Sequence, residues 1–269
     1  MKLLFSEAKS DYGNYLFPYA IWAFAEAGET PADMFAHGFL PSSRQLDRFY
    51  LCRQIRIPLG SFKPSSENRR ILRKGEGISS KMVPRSEFDY TNTRRQFYKD
   101  YADRKFGPDV MSWERLDGLF SSPIVSHLLV FTDTENGREV GTVTLYCEEP
   151  RMAFYYYAFY DLNYFARSLG LYMMTTAVKE LGRRRFEHLY LGSCYSTNAL
   201  YKTQFAGAQF FNGFGWSGNL EELKYAIRHD SAPIKQHLLE TEEFRELFHS
   251  GDLSAMAAKT PFAVRPERP

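Results

Sequence analysis

The spacing of hydrophobic and polar residues divides the middle of the chain into short elements. Apolar residues recur at helical spacing in some segments and alternate in others, with turn formers between them. The pair Asn136-Gly137 predicts a hairpin turn, and Ser112 is placed to cap a helix. The pattern predicts helices at 93–106 and 112–120, strands at 124–131, 139–147 and 152–160, a helix at 169–181, a strand at 188–192 and a short helix at 198–205.

The segments before and after this middle region give fewer indications of secondary structure. An apolar stretch at 19–27 has helical spacing, and the alternating run 49–59 predicts one strand that stops at Pro58 and Gly60. Residues 64–90 are polar and predict a loop with a domain boundary near residue 80. We therefore expect an N-terminal lobe of residues 1–80, a larger domain of residues 81–230, and a helical extension with a Pro-rich tail at 231–269.

The order of these elements resembles that of the GNAT acyltransferase fold. The resemblance implies an α/β (α+β) protein with a mixed, mostly antiparallel sheet flanked by helices, and a smaller basic N-terminal lobe. A GNAT protein holds the pyrophosphate of coenzyme A on backbone N–H groups at the pattern Arg/Gln-x-x-Gly-x-Gly/Ala. The corresponding segment here runs from Arg167 to Tyr172 and keeps Gly170. Tyr172 replaces the final small residue, and its ring is expected to crowd a pyrophosphate.

Composition excludes several classes of protein. The chain has 269 residues, of which 44% are hydrophobic and 25% charged, so it is not wholly disordered. No apolar run reaches the ~18 residues of a membrane helix, and Glu7 comes too early for a signal peptide. The three cysteines form neither a disulfide framework nor a Cys-x-x-Cys pair. We expect a reduced, cytoplasmic protein without a cysteine metal site.

Positive charge is concentrated in one segment. The formal net charge is +2, from 34 basic and 32 acidic residues. Between Arg44 and Lys74 nine basic residues stand against Asp47 and Glu67, which gives +7 there and 25 minus 30, or −5, elsewhere. Such a segment favours a polyanionic partner. The alternative is a solvated surface whose counter-charges lie elsewhere in space.

Two blocks of motifs resemble the arginyl-tRNA–protein transferases and their bacterial relatives, the aspartate/glutamate leucyltransferases. The first block resembles Gly-Phe…Val-Arg-Ile-Pro…Phe-x-Pro-Ser-x-x-x-Arg-Arg, and is formed by 37–39, 55–58, 62–65 and 69–70. The second resembles Tyr-Asp-Pro-Asp-Tyr…Ser-Leu-Gly-x-Tyr…Tyr-Leu-Gly…Tyr-Lys-x-x-Phe, and is formed by 159–164, 168–172, 190–192 and 201–205. Together the blocks span roughly residues 37–205.

The chain also departs from the family pattern. Residues 13–16 match the early Tyr-Leu motif without its preceding Cys, and Cys52 alone remains of the second cysteine cluster. Leu46 and Phe49 stand six and three residues before Cys52 and cannot bind a metal. In the acidic motif, Leu162 and Asn163 replace Pro and Asp. The resemblance therefore implies a divergent member without the family's N-terminal metal or iron–sulfur site, and its acceptor preference is left open.

The family reaction moves an aminoacyl group, arginine or leucine, from charged tRNA to the N-terminal amine of an acceptor protein. Its donor is an activated ester, so the resemblance implies no cofactor. Alignment of the substrates and oriented N–H groups supply most of the acceleration. The predicted partners are aminoacyl-tRNA and an acceptor N-terminus, with no membrane; the oligomeric state is not predicted.

The matched motifs give three sets of candidate residues. Asp161, Tyr201 and Lys202 are predicted to be catalytic. The aminoacyl and acceptor-end site is assigned to Arg167, Ser168, Gly170, Tyr172, Tyr190 and Gly192. The tRNA backbone is assigned to Arg56, Ser65, Arg69 and Arg70, because arginine binds phosphate bidentately. Each also has a structural interpretation as a turn residue, helix cap, packed ring or solvated charge.

Two other functions stay open. A GNAT-type N-acetyltransferase using acetyl-CoA fits the element order, although Tyr172 counts against it. A non-catalytic paralogue that binds tRNA or N-terminal degradation signals fits the missing cysteines and Asn163, although Asp161, Tyr201 and Lys202 count against it.

Overall fold

The computed structural model describes residues 1–7, 19–233 and 236–263, with the side chains of 165–167 also outside the description. The strands are β1 Lys2–Glu7, β2 Tyr19–Phe24, β3 Phe39–Pro41, β4 Phe49–Leu51, β5 Gln54–Pro58, β6 Ile78–Pro84, β7 His127–Asp133, β8 Glu139–Glu148, β9 Met152–Tyr160, β10 His188–Ser193, β11 Gln209–Phe211 and β12 Trp216–Ser217. The α-helices are α1 Pro31–Ala36, α2 Ser66–Lys74, α3 Asn92–Phe106, α4 Trp113–Phe120, α5 Leu169–Arg183, α6 Leu220–Ser231, α7 Glu242–His249 and α8 Leu253–Ala257.

The strands form two sheets. The larger has eight strands in the order β12-β11-β5-β10-β9-β8-β7-β6, and the smaller has the order β1-β2-β4-β3. Among the described strands, β9 and β10 are the one parallel pair, and every other pair is antiparallel. The predicted mixed, mostly antiparallel sheet flanked by helices is therefore confirmed, together with the predicted order of elements from α3 to β10.

The eight-stranded sheet is covered on both faces. Helices α2, α5 and α6 pack on one face, where Ile71, Val178 and Leu223 share a core with Ile57 and Leu145. The other face carries α1, α3, α4 and the smaller sheet, in a second core. A strand covered on both sides needs apolar side chains in both directions, which explains the nearly continuous aromatic run of β9.

Three sequence predictions near the N-terminus are wrong. Residues 19–27 contain strand β2, which pairs with β1 and β4, and not a helix. Residues 49–59 form two strands, β4 and β5, because the chain leaves the smaller sheet at Cys52 and enters the larger one. The predicted loop at 64–90 contains helix α2 and strand β6.

The elements of the middle region are confirmed with small shifts of their ends. Helix α3 begins at Asn92, strand β7 begins at His127, and the short helix expected at 198–205 is a 3-10 segment, Thr197–Thr203. The boundary proposed near residue 80 falls inside β6. Strand β5, which precedes this boundary, belongs to the same eight-stranded sheet as β6, so the boundary does not coincide with the change from one sheet to the other. The division into units 1–80, 81–230 and 231–269 stays a prediction.

Two further expectations concern an N-terminal motif and membrane-spanning helices. The motif at 13–16 lies outside the described residues. None of the helices in the described ranges has the length and apolar character needed to cross a bilayer.

Candidate functional site

Strands β9 and β10 separate beyond a short parallel contact. They pair only where Met152–Phe154 meets His188–Tyr190, and β9 then continues for six more residues to Tyr160. At Gly192, strand β10 shifts register along β5, and the glycine has φ +80°, a conformation that L side chains rarely adopt. The divergence creates an opening in the sheet, called here the β9–β10 opening. It is bounded by the second half of β9, residues 192–193 and the first turn of α5.

Lys202 lies beside this opening. It belongs to the 3-10 segment after β10, and its ammonium donates a hydrogen bond of 2.7 Å to the Ser193 carbonyl. A methyl group on Gly192 would lie 3.8 Å from the Lys202 Nζ. Burial lowers the pKa of Lys202, and the nearby thiols of Cys194 and Cys52 oppose this only in part. The amine is therefore easier to deprotonate than that of an ordinary lysine.

Four tyrosines surround the same region: Tyr101, Tyr155, Tyr160 and Tyr201. The rings of Tyr101 on α3 and Tyr160 on β9 are 4.7 Å apart. Burial raises the pKa of Tyr201, with Tyr160 and Cys194 as further causes, and burial also raises the pKa of Tyr155 and Tyr101. The hydroxyls of these three residues stay protonated near neutral pH and can donate hydrogen bonds. The Tyr201 side chain is half exposed and faces solvent as well.

Tyr101, Tyr155 and Tyr160 are not among the residues that the motifs assign to the site. Tyr155 and Tyr160 belong to the aromatic run of β9, which was the available signal. Alternation alone does not tell which side of a doubly covered strand faces an opening. Tyr101 comes from α3 on the other side of the sheet, and only the tertiary structure brings it to Tyr160.

The first turn of α5 forms one edge of the opening. Ser168 has the left-handed conformation (φ 52°), and its carbonyl accepts hydrogen bonds of 3.0 Å from the N–H groups of Leu171 and Tyr172. A methyl group on Gly170 would lie 2.8 Å from the ring and hydroxyl of Tyr160, so glycine lets this ring pack against the helix. The side chain of Arg167 lies outside the described part of the chain.

Tyr172, assigned to the acceptor-end site, is part of the core. Its ring is buried in the core between the sheet and α2, and its hydroxyl donates a hydrogen bond of 3.0 Å to the Ile78 carbonyl. The ring also packs edge-on against Phe131. The ring and hydroxyl of Tyr172 are thus used inside the protein. Contact of Tyr172 with an acceptor end stays a prediction.

Asp161 has structural partners. It follows β9, and its carboxylate accepts a hydrogen bond of 2.9 Å from the Asn163 N–H in an Asx turn. The same carboxylate forms an ion pair with Arg138, and the Asp161 N–H donates to the Val140 carbonyl. These contacts hold the end of β9 beside the opening. A catalytic role for Asp161 stays a prediction.

Two other assigned residues lie at the junction of the sheets. The Arg56 Nε donates to the Gln209 side chain (2.8 Å), and its guanidinium lies 4.0 Å from the ring centre of Trp216. Tyr190 is buried between Phe35 and Trp216. Burial lowers the pKa of Arg56. These groups make contacts inside the protein, and a backbone-phosphate contact for Arg56 and a substrate contact for Tyr190 stay predictions.

The remaining assigned residues lie on α2, away from the opening. Ser65 caps this helix, accepting a hydrogen bond of 3.1 Å from the Asn68 N–H. Arg69 donates to the Pro64 carbonyl, and Arg70 forms an ion pair with Glu67. Both arginines are exposed. The structure therefore separates the α2 residues, on the outside of the molecule, from Gly170, Gly192, Tyr201 and Lys202 at the opening.

The described residues contain no group of three His, Cys, Asp or Glu side chains placed to hold a metal ion. Cys52 and Cys194 are buried and Cys147 is half-buried; burial raises the pKa of all three thiols, that of Cys147 to about 12. The absence of a bound metal stays a prediction that metal analysis can test.

Comparison with known proteins supports the resemblance seen in the motifs. No family model matches the chain. An aspartate/glutamate leucyltransferase of Paramagnetospirillum magneticum is 28% identical over 174 residues, covering 61% of this chain and 68% of the relative. The corresponding protein of Sinorhizobium medicae is 28% identical over 193 residues, covering 67% and 71%. These relatives carry the name of the leucyl-transferring group that the two motif blocks resemble.

Solved structures match with lower sequence identity. A GCN5-related N-acetyltransferase from Sphaerobacter thermophilus has TM-score 0.32 and 16% identity, covering 65% of this chain and 51% of its own. L-PGS from Bacillus licheniformis has TM-score 0.39 and 13% identity, covering 53% and 46%. Because both TM-scores lie below 0.5, no residue's role is transferred from either structure.

Proposed function

We propose that the protein is an aminoacyl-tRNA–protein transferase of the leucyltransferase type. In this proposal it moves an amino acid from the 3′ ester of a charged tRNA to the N-terminal amine of an acceptor protein. The names of the relatives make leucine the first donor to test, and acceptors that begin with Asp or Glu the first substrates. Arginine is the second donor to test.

The half-buried amine of Lys202 beside the β9–β10 opening is the observation that carries the proposal. An acceptor amine must lose a proton when its nitrogen attacks the ester carbonyl. A lysine with a lowered pKa loses its own proton more easily than an ordinary lysine, and its neutral amine can accept the proton directly or through one water. No covalent intermediate or metal is needed, since the ester is already activated.

The reaction would then proceed in two balanced steps. The acceptor nitrogen forms a bond to the ester carbonyl carbon, and Lys202 receives the proton that the nitrogen gives up. The tetrahedral intermediate then breaks its carbon–oxygen bond to the ribose, whose oxygen takes a proton from the Tyr201 hydroxyl. The Tyr201 phenolate regains a proton from the Lys202 ammonium through solvent, so both residues return to their starting states. The Tyr201 hydroxyl is available as the donor because it is protonated near neutral pH and its ring is half exposed. The N-terminal turn of α5 would orient the ester.

A transfer assay tests the proposal. Total tRNA charged with radiolabelled leucine or arginine is incubated with peptides that begin with Asp, Glu, Arg or Lys. We expect label on the Asp and Glu peptides, and none on the same peptides with acetylated N-termini. A protein that labels no peptide with either donor would contradict the proposal.

Acetyl-CoA-dependent transfer is the second candidate, because the burial of Tyr172 removes the obstacle that its ring was expected to make. Calorimetric titration with coenzyme A separates the two functions. Saturable binding together with acetylation of a peptide amine would favour the second candidate, and no heat of binding would remove it.

A further inference from the structure

Helices α2 and α5 lie side by side and antiparallel on one face of the large sheet. At one end, the Lys74 Nζ is 3.4 Å from the Ser168 hydroxyl, next to the first turn of α5. At the other end, a methyl group on Gly182 would lie 3.8 Å from the Leu59 carbonyl. Helix α5 has 15 residues and is therefore about 22 Å long. The outer sides of the two helices form one elongated surface that begins beside the β9–β10 opening.

This surface is strongly basic. Residues 63–76 and 179–187 carry nine basic side chains against four acidic ones, a net charge of +5. We call this set the α2–α5 basic surface; its basic members are Lys63, Arg69, Arg70, Arg73, Lys74, Lys179, Arg183, Arg184 and Arg185. The arginines at the end of α5 come from outside the basic segment 44–74, and only the packing of the two helices joins them to it.

Neighbouring carboxylates neutralise only part of this charge. Glu67 pairs with Arg70, and Glu180 pairs with both Arg183 and Arg184. Lys63, Arg73, Lys179 and Arg185 are exposed, and no ion pair joins them to any other described residue. Charges without internal partners remain available to an external anion.

Arg185 occupies an unusual backbone position. It has φ 65°, the left-handed conformation that glycine usually provides just after a helix. The Phe186 N–H donates to the Leu181 carbonyl (3.1 Å), and the Arg185 N–H to the Gly182 carbonyl (3.0 Å), as in a Schellman motif. An arginine at this position holds a long cation at the end of the basic surface at a cost in backbone energy.

We propose that the α2–α5 basic surface binds the phosphate backbone of the duplex arm of tRNA. The inference rests on the proposed function, because the donor's 3′ end would then enter the adjacent β9–β10 opening while its duplex follows the two helices. Arginine recognises phosphate with a planar pair of donors. An anionic lipid surface is the less favoured partner, because the large exposed apolar side chains of the described chain all lie outside residues 63–76 and 179–187.

The salt dependence of binding tests the surface. Binding of total deacylated tRNA is measured by fluorescence anisotropy between about 50 and 200 mM salt. The double variant Arg73→Gln with Arg185→Gln should bind about tenfold more weakly at the lower salt, with the log–log slope reduced by about 1.4–1.8, because each lost phosphate contact removes ~0.7–0.9. An unchanged slope would overturn the proposal.

A matched control removes two charges elsewhere. Arg104 and Lys105 are exposed at the end of α3, on the other face of the sheet. The variant Arg104→Gln with Lys105→Gln should keep the wild-type affinity and slope. An equal loss in this control would show that only net charge matters, and would also overturn the proposal.

The variant Arg185→Gly separates binding from folding. Glycine relieves the left-handed conformation, so the melting temperature should rise by about 2–4 °C while tRNA affinity falls. A higher melting temperature with unchanged affinity would assign Arg185 a structural position only and contradict its role in binding.

Two outcomes distinguish this inference from the proposed function. If tRNA binding depends on the surface but no peptide is labelled in the transfer assay, the surface stands and the proposed function fails. If peptides are labelled while the double variant keeps the wild-type slope, the proposed function stands and the surface fails. Binding to phosphatidylglycerol vesicles but not to tRNA, lost in the double variant, would overturn the proposal in favour of a membrane.

Discussion

At the scale of single residues, the consecutive residues Tyr201 and Lys202 have different surroundings. Tyr201 and Lys202 are adjacent in sequence, yet the tyrosine is half exposed and the half-buried lysine amine donates to the Ser193 carbonyl. Gly192 lies beside this amine with φ +80°, a backbone conformation that L side chains rarely adopt. A proton acceptor and a proton donor of different accessibility can therefore arise from two consecutive residues.

Replacing Lys202 by methionine should reduce transfer about 10²-fold or more, because a general base typically contributes ~10²–10⁴. The fold should survive, since methionine fills the same volume without a buried charge. The measurements are the initial rate of label transfer and the melting temperature. A fully active Lys202→Met protein would remove Lys202 from the mechanism.

The lowered pKa of Lys202 also gives a pH dependence of stability. The unfolded lysine binds its proton more tightly than the folded one. Between the folded pKa and the unfolded value of ~10.4, the unfolded state therefore carries more protons, and stability rises with pH. At pH values below the pKa of Lys202 in the folded protein, the full destabilisation that comes from burying the charged amine is present. Urea unfolding across this range should show a smaller increase for Lys202→Met than for the wild-type protein; identical slopes would contradict the assignment.

For Asp161, in contrast to Lys202, we expect a structural role. Its carboxylate accepts from the Asn163 N–H and pairs with Arg138. Asp161→Asn keeps an acceptor for the turn and should retain transfer within a few-fold, whereas Asp161→Ala should lose about 0.5–1.5 kcal/mol of stability. Denaturant unfolding and the transfer assay measure the two effects. A loss of activity in Asp161→Asn of about 10²-fold would restore the catalytic role that the motif suggests.

At the scale of elements, the prediction succeeded where local signals agree with tertiary packing. The meander β7–β8–β9 and helix α5 have clear periodicity, caps or turn residues, and their existence and order were predicted correctly. The stretch 19–27 failed because its apolar residues are placed in a strand by pairing with β1 and β4, which local spacing does not encode. The run 49–59 alternates throughout, so nothing in it marks the change of sheet at Cys52.

The site was predictable to a similar degree. The motifs select Gly170, Gly192, Tyr201 and Lys202, and the structure places these four residues around one opening; their roles stay predictions. The motifs do not select Tyr101, because α3 reaches Tyr160 only through packing across the sheet. They also do not show that Tyr172 is in the core, because a motif position does not state which side of a helix faces inward.

The contact between α2 and α5 can be tested through a glycine. A methyl group on Gly75 would lie 2.0 Å from the Tyr172 ring, which is buried and fixed by its hydrogen bond to Ile78. Gly75→Ala should therefore destabilise the protein by about 1–3 kcal/mol through overpacking. Gly60→Ala is the control, because no atom lies within 4 Å of the added methyl group, and it should be neutral or slightly stabilising. Equal stabilities of the two variants would contradict the packing.

At the scale of the whole molecule, a buried carboxylate lies where the C-terminal helices meet the rest of the protein. Glu222 on α6 accepts hydrogen bonds from the Asn212 side chain (2.8 Å) and the Ser217 hydroxyl (2.6 Å), and lies 3.2 Å from the His249 ring at the end of α7. Farther along, Phe262 packs edge-on against Phe39 of the smaller sheet. Residues 236–263 thus run from the large sheet to the smaller one.

Removing this carboxylate should show whether the C-terminal helices fold with the rest of the chain. Glu222→Ala leaves Asn212 and Ser217 without their shared acceptor and removes the carboxylate beside the His249 ring, so we expect a loss of about 3 kcal/mol. His249→Phe is the control: it keeps the ring packing against Phe214 and Phe244 and leaves Glu222 two donors, so its loss should be near 1 kcal/mol. Unfolding is followed by circular dichroism together with limited proteolysis.

The number of unfolding transitions in Glu222→Ala shows whether the C-terminal helices unfold together with the rest of the chain. Because one residue joins α6, α7 and the strand ends near β11 and β12, we expect a single cooperative transition at a lower denaturant concentration. Early cleavage within residues 242–257, with the body still folded, would instead show that these helices open separately. That outcome would support the predicted division at residue 231, whereas a single transition would assign residues 231–263 to the same cooperative unit as the large sheet.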